Sequence, residues 1–178
     1  MCASPLWPEH GRWLKDLEGV VDIGLHLTLV DEAPLTAMPR MAPEGRLPSI
    51  GRLIVKSYAG TLALEEIAAE MDAQVFAFTQ VMGRAPDHID GHQHAHVLPG
   101  IREIVLERAR ALSPRPWLRN VHDSLGAISR RGVAMPKAGD PRAAWDRQRA
   151  VEYEFLAGPG FGAFLAGHGL KIARFAGA

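Results

Sequence analysis

Residues 20–30, VVDIGLHLTLV, constrain the fold more than any other stretch of this chain. Val21, Ile23, Leu25, Leu27 and Leu29 alternate with Asp22, Gly24, His26 and Thr28, a period of two that an extended strand sorts onto two faces. The apolar face predicts packing beneath helices. The other face carries His26 beside Gly24, whose missing side chain leaves room for a neighbour. Taken alone, His26 is either a hydrogen-bonded core histidine or a ligand reaching into a cavity.

The elements after this strand decide how it is used. Leu64, Ile67, Met71, Val75, Phe78 and Met82 recur at helical spacing up to Gly83, with Thr61 as a candidate N-cap and Glu65 and Glu66 suited to the positive end of the helix. Pro86 resets the chain, and residues 88–92 read as a second strand. Pro99 suits the start of a helix in which Ile101, Ile104, Val105, Arg108 and Leu112 are periodic and which Pro114 stops. Residues 117–121 read as a third strand, followed by a polar turn with His122 and Asp123. Strand, helix, strand, helix, strand predicts an α/β fold with mainly parallel strands, whose ligand site lies at the carboxyl ends of the strands.

Outside that frame the sequence is less regular. Residues 9–17 predict a short helix ending at Gly19. Residues 31–57 hold Pro34, Pro39, Pro43, Gly45, Pro48 and Gly51 and read as a long loop, either a wall of the site or a plain surface excursion. Residues 141–157 predict a helix stopped by Gly158 and Pro159, Phe161, Phe164 and Leu165 a further short one, and residues 170–175 a last strand. No repeat or flexible linker interrupts the chain, so one domain over residues 1–178 is expected.

At the carboxyl end of the second strand lies the most chemically committed segment, residues 87–96, DHIDGHQHAH, with four histidines and two aspartates in ten residues. If extended, it places His88, Asp90, His92, His94 and His96 on one side; if helical, His92 and His96 share a face. Either arrangement presents two imidazoles to one ion, with a carboxylate near enough to complete the shell or orient a histidine. A solvent-exposed histidine-rich loop is the plainer alternative.

Composition narrows the partners. Twenty basic and twenty acidic residues cancel, and no basic stripe is present, so neither nucleic acid nor an anionic membrane is expected as a partner. The sequence holds one cysteine, Cys2, which rules out an internal disulfide and suits a reducing compartment. No apolar run approaches the ~18–20 residues needed to cross a bilayer. A cytoplasmic protein is expected.

Three motifs in order, IGLHLTL at residues 23–29, PLTAMP at 34–39 and GRAPDHIDGHQHAH at 83–96, resemble the YdjC family of carbohydrate deacetylases, which includes the chitooligosaccharide deacetylases. The resemblance runs over roughly residues 4–137. It implies a distorted or incomplete β/α barrel of the TIM type, a divalent ion, magnesium or zinc, and removal of acetyl groups from an N-acetylated oligosaccharide. Carried over residue by residue, the metal histidines are His26 and His92. The family's third ligand, an aspartate in an Asp-Asp-Phe-Gly motif, has no counterpart in this sequence. Residues 141–178 resemble the carboxyl end of a family member, so the chain is expected to be shortened at its start and again near residue 138. Open strand edges would then favour a homodimer.

The same chemistry assigns the remaining polar groups. Amide hydrolysis needs a polarised carbonyl, a base for the attacking water and an acid for the departing amine. Asp90 is the carboxylate placed to serve as base or substitute ligand, and His94 and His96 are placed to orient substrate. A silent relic that binds metal or sugar weakly, or another metal-assisted hydrolase acting on esters or phosphates, is the alternative reading.

Overall fold

The three predicted strands form the centre of the fold, and they are shorter than their sequence patterns. In the computed structural model, which describes residues 1–121, 154, 156 and 158–169, β1 spans Leu25–Leu27, β2 His88–Gly91 and β3 Trp117–Leu118. They pair in the order β1-β2-β3, both pairs parallel as the element order predicts. Among the described residues the sheet is open. Strand β1 is confined to the three residues that face β2, Leu25 against Ile89, His26 against Asp90 and Leu27 against Gly91. Ile23 still joins through its carbonyl, which accepts from Asp87 N, but residues 20–22 have no ladder partner in β2 and leave the strand.

Burial follows the predicted alternation only from Ile23 to Leu27; Thr28, expected on the polar face, is fully buried with Leu29 and Val30, and Val21 is only partly buried. Ile23, Leu25, Leu27 and Leu29 are buried, as are Ile89 from β2 and Met71, Phe78 and Ile67 from the main helix. Helix α1 (Trp7–Trp13) runs into a 3₁₀ turn, Leu14–Leu17, which matches the short helix expected before Gly19. Its Trp7 stacks on Phe78 and donates its indole N–H to the Ala77 carbonyl. Gly11 lets α1 approach this closely, because a Cβ there would lie 2.8 Å from Val81.

Helix α2 (Ile50–Tyr58) replaces part of the expected loop. Pro48 and Gly51 make its sequence read as loop, yet Leu53 and Ser57 turn inward and are buried, and Ser57 donates to the Pro99 carbonyl. Helix α3 (Leu64–Met82) ends at Gly83 in the left-handed conformation, as the glycine predicts. Its N-cap is Ala63 and not Thr61, whose hydroxyl bonds back to Lys56 O. Helix α4 (Ile101–Ala111) buries Ile101, Ile104, Val105 and Ala109. The surface position of Leu64 and the partial burial of Val75 narrow the α3 stripe that the sequence suggests.

Two polar residues occupy that stripe instead. Glu70 and Gln74 are fully buried. Gln74 pairs with Thr28 as a neighbouring strand would, accepting from Thr28 N at 2.9 Å and donating to Thr28 O at 2.7 Å. Glu70 accepts from Leu35 N, Thr36 N, Thr36 Oγ1 and Gln74 Nε2, and Glu66 accepts from Arg40 N and Met41 N. The proline-rich loop is therefore anchored along one side of α3, its backbone donors satisfied by buried or half-buried carboxylates.

Two compact units divide the chain, one built on Met1–Val121 and the other within His122–Ala173. In the second, helix α5 (Gly160–Gly167) agrees with the short helix expected around Phe161 and Phe164. His122, Asp123, the predicted helix over residues 141–157 and the last predicted strand lie outside the described residues or only touch them. Among the described residues no helix is long and apolar enough to cross a membrane.

Candidate functional site

The register of β1 on β2 sets His26 beside Asp90 on the face opposite the core. His26 Nδ1 donates to Asp90 Oδ1 at 2.8 Å. A carboxylate accepts only, so the imidazole proton sits on Nδ1 and the lone pair is on Nε2. That Nε2 lies 3.3 Å from His92 Nδ1. The other oxygen of Asp90 faces the guanidinium of Arg119, just past β3, at 3.5 Å. Burial by itself would raise the Asp90 carboxyl, but the hydrogen bond and charge of His26, with His88 and Arg119, outweigh it and hold the carboxyl below its ordinary value.

The histidine segment is neither wholly extended nor helical. It stays extended through Gly91 and then tightens into a turn over His92–Val97, in which Gln93 (φ 48°) and His94 (φ 59°) are both left-handed. Each such non-glycine residue costs about 1–2 kcal/mol. Three side-chain hydrogen bonds hold the turn: His92 Nδ1 donates to His26 Nε2 at 3.3 Å, Gln93 Nε2 donates to Asp31 Oδ2 at 2.8 Å, and His96 Nε2 donates to the Arg119 carbonyl at 3.0 Å. Asp31 is itself left-handed, with φ 61°. Strain of this kind persists where surrounding structure over-determines it, and it gathers at functional sites.

The expected site residues therefore separate. His26, Asp90 and His92 come together. His94 is exposed on the turn; burial of part of its ring, with the charges of Arg119 and His96, holds it below the ordinary histidine value. His96 is 4% exposed and turned to Arg119, its Nδ1 without a hydrogen-bond partner among the described residues. His88 lies further back on the same face as Asp90, stacked on Trp117 with centroids 4.5 Å apart, in the space that Gly24 leaves open, since a Cβ there would overlap its ring. Burial pushes His88 down against the pull of Asp90, Asp22 and Asp87.

Arg119, Gln93 and Asp31 join the site without any mark in the sequence. Isolated polar residues at loop positions carry no periodic signal, and only the spatial register makes them neighbours of the histidines.

The donor set partly suits a divalent ion. Two nitrogens bound to one tetrahedral ion at ~2.0–2.1 Å stand about 3.3–3.4 Å apart, the separation found between His26 Nε2 and His92 Nδ1. A carboxylate holding the far nitrogen of a metal histidine is the usual outer support, and Asp90 occupies that place. Among the described residues, however, no three histidine, cysteine, aspartate or glutamate side chains gather where they could hold an ion.

Residues 1–145 match the family described as YdjC-like protein. The chain belongs to the YdjC-like family. Proteins named chitooligosaccharide deacetylase, from Yersinia pestis (strain Pestoides F) and Yersinia pseudotuberculosis serotype O:1b (strain IP 31758), are each 42% identical over 105 residues, which is 58% of this chain and 41% of theirs. This YdjC-like chain thus spans less than half the length of those relatives. A crystal structure of an Enterococcus faecalis V583 protein provisionally named for cellobiose-phosphate cleavage superposes with a TM-score of 0.55 at 26% identity, covering 75% of this chain and 51% of that one.

Proposed function

We propose that this chain carries the two-histidine part of a metal site in a hydrolase that removes acetyl groups from N-acetylated sugars of the chitooligosaccharide type. The observation that carries the reading is the approach of His26 Nε2 to His92 Nδ1, with Asp90 behind His26. The deacetylase name of the Yersinia relatives supplies the substrate class. In fold terms we read the three parallel strands as a segment of a distorted β/α barrel, because the site stands at their carboxyl ends and the similar crystal structure extends well beyond the part matched.

His26 and His92 would hold the ion, magnesium or zinc, with zinc the better match to imidazole nitrogen. Such an ion supplies positive charge that polarises an amide carbonyl and acidifies water. Asp90 keeps the His26 proton on Nδ1 and so keeps Nε2 available as an electron-pair donor. His94, exposed on the turn, offers its ring nitrogens to sugar hydroxyls, or takes and returns a proton at the amine nitrogen. His96, pinned to the Arg119 carbonyl, fixes the end of the turn that carries them. An oligosaccharide substrate, a cytoplasmic setting and a homodimer belong to the same proposal.

A second reading, a chain that binds metal weakly and is catalytically silent, is favoured by the count of two protein nitrogens, since catalytic zinc sites have three protein ligands. Metal content after dialysis and acetate release from N,N′-diacetylchitobiose separate the two. The first reading predicts about one zinc per chain and acetate release that disappears in His92→Ala. Metal-free protein with no acetate release sinks it in favour of the second.

A further inference from the structure

The approach of His92 to His26 is not explained by the sheet. His26 is placed by β1, but His92 lies one residue beyond β2, where the ladder has ended and the backbone enters two successive left-handed residues that are not glycine. Left to itself, such a turn would relax toward an ordinary conformation and carry the His92 ring with it. The rings hydrogen-bond to each other at 3.3 Å once they meet, but one long bond at the tip of a side chain does not fix the backbone of the turn, so a further contact must hold it.

Gln93 makes the contact that can do so. Its amide donates to Asp31 Oδ2 at 2.8 Å across 62 positions of sequence. Asp31 is a firm anchor: its own N–H donates to the Pro48 carbonyl, the neighbouring Leu47 N–H donates to Glu32 O, and the rest of that loop is tied to the buried Glu70. The far end of the turn is fixed separately by His96 on Arg119. His92 precedes the Gln93 contact directly, so the position of its ring depends on that contact more than on the distant one.

We propose that Gln93 and Asp31 form a positioning clasp, whose hydrogen bond holds the left-handed turn in the one arrangement that brings the His92 ring against that of His26. Neither residue touches substrate or ion; both act through His92. The clasp rests on the reading of His26 and His92 as partners at one ion only for its effect on metal affinity, since the hydrogen bond and the ring contact belong to the metal-free chain.

Three variants of the full chain test it: Q93G, Q93E and the exchanged pair D31N/Q93E. Glycine adopts positive φ without steric cost, so Q93G removes the clasp together with the strain at position 93, leaving that at His94, and its melting temperature should stay within about 3 °C of the parent. The nuclear Overhauser contact between the His26 and His92 rings, whose centroids are 5.4 Å apart edge to face, should nevertheless be lost in the metal-free protein. Q93E sets two carboxylates against each other and should lose it too. The exchanged pair restores one donor and one acceptor with their polarity reversed, and the ring contact should return. In a parallel titration with Co²⁺, Q93G should bind at least about tenfold more weakly than the parent, with the exchanged pair recovering most of that loss.

Persistence of the ring contact in Q93G, its absence from the parent, or failure of the exchanged pair to restore it would each overturn the clasp. A melting temperature of Q93G several degrees below the parent would also overturn it, by making Gln93 a stabilising residue and not a positioning one. If the parent takes up no cobalt while the ring contact still depends on Gln93, the clasp stands and the metal-site reading falls.

Discussion

Replacing Glu70 by glutamine should unseat the proline-rich loop, and the size of the effect is set by which atoms meet. Oε1 of Glu70 accepts from Leu35 N at 3.0 Å and Gln74 Nε2 at 2.8 Å, and Oε2 accepts from Thr36 N at 2.9 Å and Thr36 Oγ1 at 2.8 Å. Glutamine keeps one oxygen. Whichever way its amide turns, an NH₂ group faces a backbone N–H that cannot reverse. Gln74 cannot flip to help, because its oxygen and nitrogen are both engaged by Thr28. With the NH₂ turned toward Thr36, whose hydroxyl can rotate to accept, one charge-assisted hydrogen bond, from Thr36 N, is lost outright at about 1.5–3 kcal/mol, and the three that remain lose their charge at about 0.5–1 kcal/mol each. Removing a buried charge offsets part of that loss, which leaves roughly 2–4 kcal/mol of destabilisation. For a unit of this size that corresponds to roughly 8–15 °C in melting temperature, or a urea midpoint lower by about 1–2 M. Urea unfolding followed by tryptophan fluorescence reads it directly. A Glu70→Gln protein within about 0.5 kcal/mol of the parent would refute the reasoning, since it would mean that the second carboxylate oxygen contributes nothing to holding the loop.

Two further outcomes are expected. Gly24→Ala puts a Cβ into the His88 ring, which is backed by Trp117 and has little room to withdraw, so it should lose about 1–3 kcal/mol; an unchanged urea midpoint would show that the histidine does not occupy that space. Burial pushes the Cys2 thiol from its ordinary 9.0 up to about 12, which leaves about a thousandfold less thiolate at pH 8 than an exposed cysteine has. Alkylation by iodoacetamide at pH 8 should therefore be slow in the folded chain, accelerate only as pH rises toward 12, and become fast in 6 M guanidinium; rapid native labelling at pH 8 would contradict it.

The parts of this molecule that obey a period are legible in its sequence. The alternation from Ile23 to Leu27, the Ile67, Met71, Phe78 and Met82 part of the α3 stripe with its stop at Gly83, and the parallel order of strands all arise from side-chain direction and capping, and all are present. Helix α2 is not legible, because Pro48 and Gly51 are loop signals that the burial of Leu53 and Ser57 overrides. Glu70 and Gln74 do carry a usable signal: with Ile67, Met71 and Phe78 they fall on one helical face, and polar residues on a face committed to the core demand partners. The left-handed pair has almost no signal: histidine is only modestly enriched in that conformation and glutamine is not, so the neighbours of Gln93 and His94 impose it.

The two histidines of the site stand on opposite sides of this divide. His26 meets Asp90 because Leu25, Leu27 and Ile89 are buried on the other face of the same two strands. Slipping the pairing by one residue would turn those three side chains to water, at about 1.5–3 kcal/mol each, a total comparable with the whole stability of a small domain. The His26–Asp90 pair is thus inherited from the hydrophobic core and is as robust as the core. His92 inherits nothing from it. It stands beyond the last ladder position, hydrogen-bonded to His26 at 3.3 Å but carried by a strained turn that an exposed hydrogen bond to Asp31 and a part-buried one to the Arg119 carbonyl hold in place. Substitutions in the strands should therefore remove fold and site together, whereas substitutions at Gln93 or Asp31 should leave the fold and separate the two histidines. In this chain the capacity to bring two imidazoles to one point is decided by the turn, and the turn is where that capacity can be lost without loss of structure.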